Sequence, residues 1–189
     1  MDNNIPSKKP KNAEKPYAFA YEVVGTMVTA LVALALVFCF AFRVVSVDGN
    51  SMNTTLENAD RLLLVHPYSA PTHGDIVVIS RGDKEPLIKR VIACGGDTIV
   101  IKEGIVMLNG SPLDEPYLDE TCLLEGGLTP PFDLTTEVTV PEGCYVVMGD
   151  NRLDSYDSRY AGVGFVELKD IMGKTLWRIW PTDKFGTVD

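Results

Sequence analysis

From Val23 to Phe42 the chain runs for 20 consecutive residues without a charge. As a helix, such a run is about 30 Å long, the thickness of a bilayer's hydrocarbon core. A cleavable secretion signal has a shorter apolar stretch, up to about 15 residues, and ends at a small-x-small site. Here the run is longer and ends in Ala41-Phe42-Arg43, so an uncleaved anchor is expected. That divides the chain into a tail (1–22), a spanning segment (23–42) and a domain (44–189). Lys8, Lys9, Lys11 and Lys15 all precede the span. The N-terminus is therefore expected in the cytoplasm and the domain outside. Residues 1–16 are polar and Lys/Pro-rich, a composition that predicts disorder.

The charge is unevenly divided. Residues 1–43 carry five Lys/Arg and three Asp/Glu, whereas 44–189 carry 12 basic and 23 acidic residues, a balance of −11. Nucleic acid is excluded as a partner, because phosphate neutralisation needs clustered Lys and Arg. The domain is long enough for one core. Its cysteines (Cys94, Cys122, Cys144) and histidines (His66, His73) form no zinc-ligand spacing, so no metal or other cofactor is expected. Cys39 falls in the apolar run and reads as a small hydrophobe. Cys122 and Cys144 are candidates for a disulfide in an oxidising compartment, a pairing that spacing alone leaves open.

Short β-type runs separated by turn residues fill the domain. Strands are expected at Arg61–Val65 (ended by His66-Pro67-Tyr68), Ile76–Ile79, Leu87–Cys94, Thr98–Lys102, Ile105–Leu108, Glu137–Val140, Cys144–Met148 and Ile171–Trp180. Arg81 to Pro86 reads as a polar loop, and Glu103-Gly104 and Asn109-Gly110 as tight hairpin turns. Residues 114–135, acidic and holding Gly126-Gly127 and Pro130-Pro131, read as an irregular insertion. Nothing after residue 44 keeps a helical period, so a mainly antiparallel β domain behind one transmembrane helix is predicted.

Three places carry chemistry. Ser51 lies in Gly49-Asn50-Ser51-Met52-Asn53-Thr54-Thr55-Leu56, eight residues after Arg43. Full extension keeps it within roughly 30 Å of the bilayer. It is either a turn former or a nucleophile acting on something that emerges from the membrane. Lys89 interrupts Leu87-Ile88-Lys89-Arg90-Val91-Ile92, where alternation places it with Leu87 and Val91. It is either an edge lysine snorkelling to water or a buried amine kept neutral to act as a base. The block Gly149-Asp150-Asn151-Arg152-Leu153-Asp154-Ser155-Tyr156-Asp157-Ser158-Arg159 follows an apolar strand directly. Two arginines and three aspartates interleaved with hydroxyls imply a fixed hydrogen-bonded network of the type that orients a catalytic group.

Ser51-Met52 with Thr55-Leu56, Gly74-Asp75-Ile76-Val77-Val78, Lys89-Arg90-Val91-Ile92 with Gly96-Asp97, and the Gly149–Arg159 block occur here in one order behind an N-terminal anchor. Together they resemble the type I signal peptidases over about residues 17–180. The resemblance implies a membrane-anchored serine endopeptidase that removes signal peptides from secreted preproteins with a Ser-Lys dyad, and a lipid bilayer as its surroundings. It makes Ser51 the nucleophile and Lys89 the general base. Ser155 would hydrogen-bond and orient Lys89, Asp157 and Arg159 would form a supporting ion pair, and Met52 and Ile88 would line the substrate cleft. Specificity would come from shallow apolar pockets for small residues one and three before the cut.

The chain departs from the family pattern in places. Thr54 stands where proline is usual, Ala93-Cys94-Gly95 replaces the usual glycine and proline, and Asp154 replaces asparagine. Thr54 is expected to loosen the Ser51 loop, and Cys94 to add a thiol near the base. Gly49 offers no hydroxyl, leaving the oxyanion to backbone N–H groups, chiefly that of Ser51. Two rivals remain at this level: a Ser-His-Asp triad using His66 or His73, and a catalytically weak relative that holds extruded peptides as a binding module.

Overall fold

The computed structural model describes residues 17–65, 70–118 and 134–188. Residues 1–16 of the tail, the expected strand end at His66-Pro67-Tyr68, Cys122 and most of the 114–135 insertion lie outside the described residues. The chain divides into two compact units, Met1–Phe40 and Ala41–Asp189.

Helix α1, Ala18–Ala41, has 24 residues, about 36 Å at 1.5 Å per residue. It is long and apolar enough to cross a membrane. It starts five residues before the expected span. Glu22 ended the charge-free run but is itself a good helix former. The hydroxyls of Thr26 and Thr29 donate back to the carbonyls of Glu22 (2.8 Å) and Gly25 (2.9 Å). Their polar groups are thus satisfied within the helix, as hydrocarbon surroundings require.

In the second unit, the strands are β1 (Phe42–Ser46), β2 (Arg61–Val65), β3 (Ile76–Arg81), β4 (Lys84–Cys94), β5 (Thr98–Lys102), β6 (Ile105–Leu108), β7 (Ser111–Pro112), β8 (Val138–Thr139), β9 (Cys144–Met148), β10 (Val166–Glu167), β11 (Ile171–Trp180) and β12 (Gly186–Thr187). One sheet is ordered β1-β2-β11-β3-β4-β9-β10 with β12 beside β11, and the other β7-β6-β5-β8. Every pairing is antiparallel. The fold is therefore mainly β, as the turn spacing predicts.

Two boundaries differ from expectation. Phe42, assigned to the span, opens β1 opposite Val65. The polar loop Arg81–Pro86 is instead a hairpin, with Arg81 paired to Lys84 around Gly82 at φ +65°. Charged side chains hid strand residues that point to water. The Glu103-Gly104 and Asn109-Gly110 turns have positive φ at all four positions, the conformation a two-residue hairpin loop demands.

β3 reads Ile-Val-Val-Ile because both its faces are covered. Ile76 and Val78 join a cluster with Met52, Leu56, Leu62 and Leu64, while Val77 and Ile79 join Val91, Val147 and Ile171. A third cluster, including Ile92, Ile99, Val106 and Met148, draws on strands of both sheets. β4 has β3 on one side and β9 on the other. Lys89 is therefore not an edge lysine.

Candidate active site

Ser51 sits in the loop between β1 and β2. The loop is closed at its base by reciprocal bonds, Val47 N–H to Asp60 O (2.8 Å) and Ala59 N–H to Val47 O (2.9 Å). Met52 and Leu56, one helical turn apart and joined by Leu56 N–H to Met52 O (2.8 Å), are fully buried anchors in the core. Ser51 directly precedes the first of these anchors.

Lys89 reaches this loop from β4. Its Nζ donates to Ser51 Oγ at 2.6 Å and to the carbonyl of Ile88 at 2.9 Å. The side chain is only 1% exposed. Burial lowers its pKa from 10.5 to about 8; Asp157 pulls upward, and the positive charge of Arg159 adds to the lowering. A fraction of the amine is then neutral near physiological pH. Both residues border a cleft of about 290 Å³ whose other walls include Val45, Val47, Met52, Val78 and Ile88. Met52 and Ile88, expected at a substrate cleft, are both among its lining residues.

The Gly149–Arg159 block is a buried network. Arg159 donates to both oxygens of Asp157 at 2.8 Å and to the carbonyl of Arg152 at 2.8 Å. Asp157 also accepts from Gly149 N–H at 3.0 Å. Burial alone would raise the Asp157 carboxyl, but the Arg159 bonds and charge outweigh it and hold it below its ordinary value. Ser158 Oγ accepts from Val147 N–H at 2.9 Å, tying the block to β9.

Ser155 departs from expectation. It is buried, but no hydrogen bond runs from its hydroxyl to Lys89, and its Oγ completes none elsewhere among the described residues. It lies close enough to Asp157 to help keep that carboxyl ionised. The neighbours of Lys89 Nζ are instead Ser51 and its own strand's carbonyl.

Sequence reasoning missed the ties between block and loop. Asp150 takes a two-pronged bond from Arg90 (3.0 and 2.8 Å) and the hydroxyl of Thr55 at 2.5 Å. Asn151 N–H donates to Ser51 O at 3.0 Å. Arg152 pairs with Glu115, and Arg90 stacks over Tyr117, 3.9 Å from the ring centre. At Gly149, a Cβ would fall 2.2 Å from Ser155 Oγ and 2.4 Å from Ser51 O, so only glycine fits. The partners are far apart in the chain, and Arg90 beside Lys89 reads locally as one more strand charge.

These ties bear on the departures. Thr54 is exposed, but Met52, Thr55 and Leu56 around it are anchored, so the expected loosening has no structural counterpart. Cys94 is five strand residues from Lys89, roughly 16 Å away at 3.3 Å per residue, and donates instead toward Pro71 O at 3.9 Å. Cys144 forms no disulfide among the described residues, and its candidate partner Cys122 lies outside them. His73 contacts Asp97, with no serine in the pair, and His66 lies outside the described residues.

The site thus brings a serine hydroxyl against a desolvated amine at the border of a cleft, an arrangement in which a serine could be activated without histidine. The chain belongs to the signal peptidase family, peptidase S26, whose model matches residues 20–180, and it is an enzyme of that hydrolase class. It is 40% identical over 165 residues to the signal peptidase I of Bacillus caldolyticus, covering 83% of this chain and 90% of the relative. It is 32% identical over 197 residues to a probable signal peptidase I-2 of Synechocystis, covering 98% and 85%. A solved signal peptidase I from Enterococcus faecalis matches with a TM-score of 0.45 and 29% identity, over 56% of this chain and 97% of that one.

Proposed function

We propose that this protein is a membrane-anchored endopeptidase that cleaves signal peptides from secreted preproteins, with Ser51 as nucleophile and Lys89 as general base. The observation that carries the reading is the 2.6 Å contact between Lys89 Nζ and Ser51 Oγ at an amine lowered to about 8. A neutral Lys89 accepts the Ser51 proton as Oγ attacks the scissile carbonyl, then returns it to the leaving amine. The oxyanion is met by backbone N–H groups, chiefly that of Ser51, since Gly49 has no hydroxyl. Asp157 and Arg159 hold the block that fixes Ser51 O through Asn151, and Met52 and Ile88 shape the cleft for the residues before the cut. In this reading Ser155 acts on Lys89 only after its hydroxyl turns toward the amine.

The anchor supplies proximity. β1 follows α1 directly in the chain, so the covalent link holds the nucleophile near the surface where a signal peptide's cleavage site leaves the bilayer. Lysines ahead of the helix favour a cytoplasmic N-terminus and an external domain.

The test uses full-length protein in detergent with a preprotein substrate. Ser51→Ala and Lys89→Ala should each abolish cleavage, and the double variant should be no worse, because dyad members act as a unit. The wild-type rate should rise with pH through an apparent pKa near 8. A folded Lys89→Ala protein cleaving at the wild-type rate ends this mechanism.

A further inference from the structure

Three side chains with no part in the proposed mechanism meet at the far end of β4. His73 Nε2, Cys94 Sγ and a carboxylate oxygen of Asp97 all lie within 4.8 Å of one another. They come from the segment before β3, the last residue of β4 and the turn into β5. The backbone that carries them is fixed: Gly74 N–H donates to Val91 O and Val91 N–H to Asp75 O, both at 2.9 Å. Asp97 is already oriented, accepting from Cys94 N–H and from Asn109 Nδ2 at 2.8 Å each. A ligand carboxylate held by outer hydrogen bonds is a recurring feature of metal sites. Gly95 has backbone of the Pro141–Gly143 turn 3.0 Å from where a Cβ would stand, so the turn linking Cys94 to Asp97 is tightly seated.

We propose that His73, Cys94 and Asp97 form a binding site for a divalent transition metal of the Zn2+ class, with one coordination position left to water. Thiolate, imidazole and carboxylate together make a borderline donor set, suited to zinc and unsuited to calcium or magnesium. Cys94 and Asp97 are separated by two residues across one turn, the spacing with which paired zinc ligands commonly occur. Zinc bonds of roughly 2.0–2.3 Å place tetrahedral donors about 3.5 Å apart, so the widest separation, at most 4.8 Å, must close by on the order of 1 Å while His73 and Asp97 move apart. His73 is the ligand free to move: its side chain is 48% exposed. Its 2.7 Å bond to Asp97 is exchanged for metal bonds from both.

On binding, the Cys94 thiol gives its proton to solvent and its sulfur to the metal. Burial and the carboxylates of Asp97 and Asp75 push that thiol up to about 11, a cost that a dication beside the same carboxylates reverses. The dication, the thiolate and the carboxylate sum to zero charge. The site would clamp the segment before β3 to the end of the strand that carries Lys89. That segment already holds Arg90 through Gly74 O at 2.9 Å. The expected consequence is stability, with no part for the metal in the cleavage chemistry.

The probe is Co2+, added to reduced full-length protein in detergent micelles and then displaced by Zn2+. A thiolate-to-cobalt charge-transfer absorption should saturate at one equivalent, and either metal should raise the melting temperature. Cys94→Ser should lose the absorption, and His73→Ala should bind at least about tenfold more weakly while still cleaving preprotein without metal. The proposal is overturned by no absorption in the wild type, by absorption that survives Cys94→Ser, or by unchanged affinity in His73→Ala. If Cys94→Ser does not fold, the exposed His73→Ala variant decides alone.

Discussion

Lys89 is 1% exposed in an interior strand, and burial there opposes its charge. Its pKa is 10.5 in the open and about 8 in the fold, a gap worth roughly 3 kcal/mol at 1.36 kcal/mol per unit. Below pH 8 folded and unfolded states are both protonated, and the fold bears the whole cost. Between 8 and 10.5 the unfolded chain holds more protons, so this group's contribution to stability rises with pH. Lys89→Met, similar in volume and uncharged, should therefore melt higher than wild type at pH 7 although it cannot cleave. Its advantage should shrink across pH 8 to 10.5. A variant that melts no higher at pH 7 would show that the bonds to Ser51 and Ile88 outweigh desolvation. At this scale Lys89 was legible, because a lysine amid apolar strand residues is conspicuous. Gly149 was not, because a glycine at a strand end reads as a turn until Ser155 and Ser51 are found where its side chain would stand.

Among elements, the block after β9 has the most at stake. It is polar, yet Asp150, Arg152, Asp157, Ser158 and Arg159 are all buried, so each group depends on its partner. Asp157→Ala leaves the Arg159 guanidinium unpaired and Gly149 N–H without its acceptor. Breaking such a buried pair costs about 3–5 kcal/mol. Differential scanning calorimetry should show a markedly lower melting temperature, with cleavage reduced alongside it. An unchanged transition would mean that the block carries no load. The density of charge in these eleven residues announced a network, and the strands around it were readable from apolar runs and turns. The wiring was not: Asp150 meets Arg90, 60 residues away, and Thr55, 95 residues away. Only the pairing of β4 with β9 and the seating of the Ser51 loop bring those three together.

For the whole molecule, the prediction concerns orientation. If the lysines of the tail hold the N-terminus in the cytoplasm, protease added to intact spheroplasts should degrade the domain that follows α1. Full protection would reverse the orientation. An apolar helix and a mainly antiparallel β domain were determined by the sequence itself, because both depend on local regularities: a charge-free run of bilayer length and a period of two broken by turn residues. The strands β1, β7, β10 and β12 escaped notice, being short or continuous with the helix, and they exist because a neighbour pairs with them. The tertiary structure alone decided that Lys89 is interior, that its amine meets Ser51 rather than Ser155, and that His73, Cys94 and Asp97 converge. Burial and long-range contact set those facts, and neither is a property of residues that are near in sequence.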